Sequence, residues 1–129
     1  MHGILLFAHG ARDPAWARPF EAIAARLRQA APDRPVALAY LELMAPDLGA
    51  GADALIAQGC TALTVVPLFL GAGGHVRRDL PEQLAALQAR HPGVAIRATA
   101  SIGESAVVTA AIADAALVLV DSRDGAGAA

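Results

Sequence analysis

Four continuous apolar runs alternate with four segments whose apolar positions recur at helical spacing. The runs lie near residues 3–8, 35–41, 62–69 and 94–100. They are unbroken, as in strands covered on both faces, rather than alternating. The helical segments lie near 14–31, 46–58, 80–90 and 104–120. In the first, Trp16, Phe20, Ile23 and Leu27 share one helix face, and Leu80, Leu84 and Leu87 repeat the spacing in the third. Asp13-Pro14 reads as an N-cap followed by proline at the first helical position. Pro46 and Pro81 are expected to open the second and third helices in the same way. Gly59 is placed to end the second, and Pro92-Gly93 separates the third from the last strand.

This alternation predicts right-handed crossovers and a parallel sheet. The expected fold is α/β: a three-layer α/β/α sandwich with four strands in the order 2-1-3-4, taken from common topologies. The domain is expected over 1–121, followed by a disordered tail over 122–129 rich in glycine and alanine. Pro67 fits poorly in a central strand, so the third strand should end near Val66 or bend there. Leu68 to Asp79 then becomes a long loop over the carboxyl edge of the sheet.

Composition narrows the picture. A chain of 129 residues forms one domain with one good core. It is 56% hydrophobic but only 4% aromatic, so its apolar surface is mostly small and suits close helix–sheet packing. A formal charge of −2 gives no electrostatic case for nucleic acid. Cys60 is the single cysteine, read as a buried inert thiol. No basic segment with a cleavage site opens the chain, and the apolar stretch from Ala106 to Val120 contains Asp114 and is too short to span a bilayer. These features predict a soluble cytoplasmic protein.

Three polar residues follow the first three runs. His9-Gly10 ends the first, Glu42 ends the second, and His75 follows the third after Gly71-Ala72-Gly73-Gly74. In the predicted topology all three gather at the carboxyl edge, where open α/β sheets bind ligands. Two imidazoles and a carboxylate there suit a divalent transition metal. Each has a plainer reading: a structural histidine at a strand end, a flexible glycine connection, a carboxylate paired with an arginine. His2 and His91 read as solvated. Val76 interrupts the spacing G-x-G-x-x-G needs, and no P-loop is present, which argues against a nucleotide site. Arg12, Arg77 and Arg78 are either solvated charges or anchors for an anionic substrate. A histidine phosphatase would carry arginine before the first histidine, where this chain has Ala8.

Three segments in order resemble a known family. His9-Gly10-Ala11-Arg12-Asp13-Pro14, Leu41-Glu42-Leu43-Met44-Ala45-Pro46 and Pro67-Leu68-Phe69-Leu70 followed by Gly73-Gly74-His75-Val76-Arg77-Arg78-Asp79-Leu80-Pro81 are similar to the motifs of the small sirohydrochlorin chelatases of the CbiX type. The resemblance runs over about residues 3–120. It implies a chelatase-like fold and insertion of Co²⁺, Fe²⁺ or Ni²⁺ into sirohydrochlorin, on the way to cobalamin or sirohaem. By motif, His9 and His75 match metal-binding histidines and Glu42 a catalytic carboxylate. Ala11 departs from the usual serine and removes a hydroxyl. The divalent metal is substrate, and no other cofactor is implied. Larger relatives carry two such domains facing each other, so a homodimer is expected here. The rival reading is a carrier that binds metal or tetrapyrrole without catalysing insertion.

Overall fold

β1 (His2–Ala8) pairs on both sides and is the hub of the sheet. The computed structural model describes residues 1–71 and 73–122, with the backbone alone at positions 75 and 77. β2 (Val36–Tyr40), β3 (Ala62–Pro67) and β4 (Ala95–Ala98) complete a parallel sheet in the order β2-β1-β3-β4. The expected strand order and parallel pairing therefore hold. Register places Ala8 beside Tyr40 and Phe7 beside Pro67, so three strands end together at one edge. β4 departs from the expectation of strands buried on both faces. It is an edge strand with Ala95 and Arg97 exposed.

Pro67 is the last residue of β3, so the strand ends one residue past Val66, near the expected point. Thr99 donates to the Val65 carbonyl and Leu68 donates to the Phe7 carbonyl. Backbone groups alternate sides along a strand, so the Pro67 nitrogen faces β4, beyond its last paired residue Ala98. With no N–H to donate, proline ends the ladder to β4, and its buried ring fills core space.

Two helices cover one face of the sheet. α2 (Leu48–Ala57) and α3 (Gly74–Arg90) bury Leu48, Ala52, Leu55, Val76 and Leu87 against Leu5, Phe7, Leu63 and Val65. On the other face, a 3-10 turn (Pro14–Ala17) leads into α1 (Arg18–Ala30), which packs Ala24 and Leu27 on Leu6 and Val36. Asp13 caps that turn through the Ala15 amide, as read from the sequence. Trp16 and Phe20 stack at 4.5 Å. Burial raises the Tyr40 hydroxyl above its ordinary range, with the Glu21 carboxylate adding to the effect.

The expected helix starts at Pro46 and Pro81 need correction. Pro46 follows a cis peptide bond and precedes the true N-cap, Asp47, which accepts from the Ala50 amide at 2.8 Å. Pro81 lies inside α3, which starts at Gly74, so the connection after β3 is shorter than the predicted loop to Asp79. The early turns hold because Val76 is buried in the core. Gly59 does end α2, with φ +101. Cys60 is buried as expected.

A second 3-10 turn (Ile102–Glu104) precedes α4 (Ala106–Asp121). α4 buries no side chain, so the layer beside α1 is one helix short of the sandwich expected from the sequence. No described helix is long and apolar enough to cross a membrane. Of the expected disordered tail, only Ser122 falls within the described residues; 123–129 lie outside them.

Candidate metal-binding and catalytic site

His9 and Glu42 meet at the carboxyl edge. Hydrogen bonding of β1 to β2 continues past both strands: Leu41 donates to the Ala8 carbonyl at 2.9 Å and Glu42 to the His9 carbonyl at 3.1 Å. The two side chains then face each other, with His9 Nε2 3.0 Å from Glu42 Oε1. The His9 ring also stands edge-on to Phe69, with centroids 6.4 Å apart. Phe69 carries no polar group; the sequence placed it within the family motif segment Pro67-Leu68-Phe69-Leu70 but not among the site residues. Its position two residues past Pro67 was the available signal.

The backbone around this pair is tightly determined. Gly10 has φ +95, and a Cβ there would collide with the Glu42 carbonyl. Leu43 has φ +65, a left-handed conformation uncommon for a leucine. Met44 donates back to the Glu42 carbonyl at 2.8 Å, and Tyr40 to the Pro46 carbonyl at 2.9 Å. The loop thus folds tightly around Glu42. Residues held in sparsely populated conformations cluster at functional sites.

The side chains themselves are open: His9 is 51% and Glu42 55% exposed. A hydrogen-bonded pair this exposed contributes little to stability. With metal–ligand bonds of about 2.1 Å, donors 3.0 Å apart subtend about 90° at a shared ion, which suits two adjacent coordination positions. Coordination requires His9 to offer an unprotonated Nε2, so the ring's remaining proton must sit on Nδ1. Without metal, Nε2–H donates to the carboxylate.

His75 lies in the first turn of α3, downstream of the carboxyl end of β3. The expectation that its imidazole joins His9, and that Arg77 faces the same edge, concerns side chains outside those described. Among the described residues no group of three or more His, Cys, Asp and Glu is arranged to hold a metal. The described part of the site is therefore a pair. Arg12 is exposed in the loop after Gly10, and Arg78 is exposed on α3.

Two other histidines are structural, but not solvated as expected. His2 Nε2 lies 2.6 Å from Thr64 Oγ1, partly buried. His91 Nε2 donates to Asp53 Oδ1 at 2.8 Å with only 21% of its side chain exposed.

Residues 3–117 match the CbiX family model. The chain belongs to the CbiX family. The sirohydrochlorin cobaltochelatase of Methanothermobacter thermautotrophicus is 35% identical over 82 residues, which is 64% of this chain and 57% of that protein. The sirohydrochlorin ferrochelatase of Bacillus subtilis is 35% identical over 75 residues, 58% of this chain and 29% of that protein. The chain thus matches less than two-thirds of the length of either relative. A crystal structure of a CbiX protein from Marinobacter aquaeolei VT8 superposes with a TM-score of 0.83 at 37% identity, covering 94% of this chain and 96% of that one. The sirohydrochlorin chelatase SirB of Bacillus subtilis subspecies spizizenii, solved with cobalt, gives a TM-score of 0.71 at 30% identity, covering 88% of this chain and 48% of SirB.

Proposed function

We propose that this chain is a sirohydrochlorin chelatase that inserts Co²⁺, Fe²⁺ or Ni²⁺ into the tetrapyrrole. The observation carrying this reading is the exposed His9–Glu42 pair, 3.0 Å apart at the carboxyl edge of a CbiX-family sheet. Support comes from relatives named for cobalt and iron insertion into sirohydrochlorin, and from SirB solved with cobalt.

Insertion exchanges two pyrrole protons for one divalent ion. The metal must be held firmly enough to be positioned and loosely enough to be released. A few protein donors with open positions meet that need, unlike a closed four-ligand site. His9, with His75, holds the ion; Glu42 accepts a pyrrole proton or holds the metal in its reactive pose. The metal is substrate, and the scheme needs no further cofactor. Sirohydrochlorin carries many carboxylates, which Arg12, Arg77 and Arg78 bind. Leu43, 60% exposed beside Glu42, offers apolar surface to the flat macrocycle.

One domain supplies one wall for so large a ligand. The match to about half of SirB fits a homodimer here, with a second copy making the other wall. The reaction belongs in the cytoplasm, feeding cobalamin or sirohaem.

Calorimetric titration with Co²⁺ tests the ligand assignment. Folded His9→Ala and His75→Ala variants are each expected to lose tight cobalt binding. A variant that binds cobalt like the parent removes that histidine from the site. A parent that binds cobalt or tetrapyrrole without accelerating metallation would be a carrier.

A further inference from the structure

β4 ends the sheet, so its outer edge has no further strand to pair with. Ala95 donates to the Thr61 carbonyl and Thr99 to the Val65 carbonyl, so these residues face β3. Backbone groups alternate sides along a strand, which turns those of Val94, Ile96 and Ala98 outward. One side chain from α3 takes two of these outward groups. Gln88 Nε2 donates to the Val94 carbonyl at 2.6 Å, and the Ile96 amide donates to Gln88 Oε1 at 3.2 Å. The same Nε2 donates to the His91 carbonyl at 3.1 Å, just past the helix end.

This is the bonding pattern of a parallel ladder. A residue of a neighbouring parallel strand opposite Ala95 would donate to the Val94 carbonyl and accept from the Ile96 amide. The Gln88 carboxamide does both with its own N–H and C=O. Its orientation is fixed, because a flipped amide would aim its oxygen at two carbonyls and its nitrogen at an N–H. The opposite edge of the sheet is closed as well. On β2, Arg28 donates to the outward Val36 carbonyl at 3.0 Å, and Tyr40 donates to the Pro46 carbonyl at 2.9 Å. Beside Gln88, a hollow of about 740 Å³ lined by Ala85, Ala89, Gly93 and Val94 leaves room along the β4 flank.

We propose that Gln88 is a stand-in strand that closes this edge and keeps β4 from pairing with an extended segment of another polypeptide. An open edge strand is a template for such pairing, and folds guard it with short strands, charges or covering groups. β4 is 4 residues long and exposes Arg97, two guards of that kind, but neither occupies its backbone groups. Gln88 does. The surface beneath it fits an extended chain in parallel register, one that donates to Val94 and accepts from Ile96. The inference stands apart from the chelatase reading. Val94 and Ile96 lie toward the amino end of β4, whereas His9 and Glu42 lie at the carboxyl edge, so a protein without chelatase activity would leave it intact.

Gln88→Ala and Gln88→Met both remove the carboxamide, and methionine keeps its length. Hydrogen exchange of the full chain, followed by NMR, should show the Ile96 amide exchanging at least about tenfold faster in both variants. The Arg97 amide, which faces β3, should keep the parent's rate. At about 100 μM both variants should form species larger than the parent's by light scattering, with thioflavin T fluorescence marking strand pairing. A Gln88→Met variant that matches the parent in exchange and size would make Gln88 a space-filling residue and overturn the proposal. Equal acceleration at Ile96 and Arg97 would make it a residue of general stability, which overturns it too. Variants that lose protection at Ile96 yet keep the parent's size would show that the edge needs no guard, and would also overturn it.

Discussion

Gly10 carries the strictest requirement of any single residue near the site. Its φ of +95 and its contact with the Glu42 carbonyl leave no room for a side chain. Gly10→Ala is expected to cost about 1–3 kcal/mol of stability, the usual range for a residue forced into such a conformation. It should also push His9 and Glu42 apart, so activity falls further than stability alone explains. Urea unfolding and a metallation rate on the folded fraction measure the two effects. Both His9 and Glu42 were legible in the sequence, because each polar residue directly follows an apolar run and a parallel sheet brings run ends together. The left-handed Leu43 was not legible, since it depends on the loop closing back from Pro46 to Tyr40. The partners of His2 and His91 were also hidden. Thr64 and Asp53 lie 62 and 38 residues away in sequence, and only the tertiary fold joins them.

At the scale of elements, Asp53 on α2 clasps the end of α3. It accepts from His91 at 2.8 Å and from Arg90 at 2.9 and 2.8 Å. The hydrogen bond from His91, followed by the Arg90 bond and charge, holds the Asp53 carboxyl below its ordinary range. A carboxylate whose folded pKa is depressed adds stability above its unfolded pKa of about 3.9, and that stability is lost as pH falls through the folded value. Asp53→Asn should therefore lower stability at pH 7 by about 1 kcal/mol or less, given how exposed the clasp is. Near pH 3 the difference from the parent should shrink. Urea midpoints at the two pH values test this, and a constant difference would argue against the clasp. The order of elements followed from the sequence because unbroken apolar runs and helical spacing are local signals. The start of α3 did not: Pro81 reads locally as a first-turn residue, while burial of Val76 extends the helix back to Gly74. Edge exposure of β4 also escaped, because an apolar run does not say whether its outer face is covered.

For the whole molecule, the sheet carries an open site at its carboxyl edge and an unfilled groove beside α1. In the proposed function the chain forms one half of a tetrapyrrole-binding cleft. The central claim is that this edge performs metal insertion with Glu42 acting in turnover. Its most direct test is the rate of Co²⁺ insertion into sirohydrochlorin, followed by absorbance, for the parent and for Glu42→Gln with cobalt affinity measured on the same preparations. The parent should exceed the spontaneous rate, and Glu42→Gln should lower the rate by about a hundredfold or more, as for loss of an acid–base group. Its cobalt affinity should fall by about tenfold or less, or about 1.4 kcal/mol. A parent no faster than the spontaneous reaction, or a variant as fast as the parent, would contradict the account.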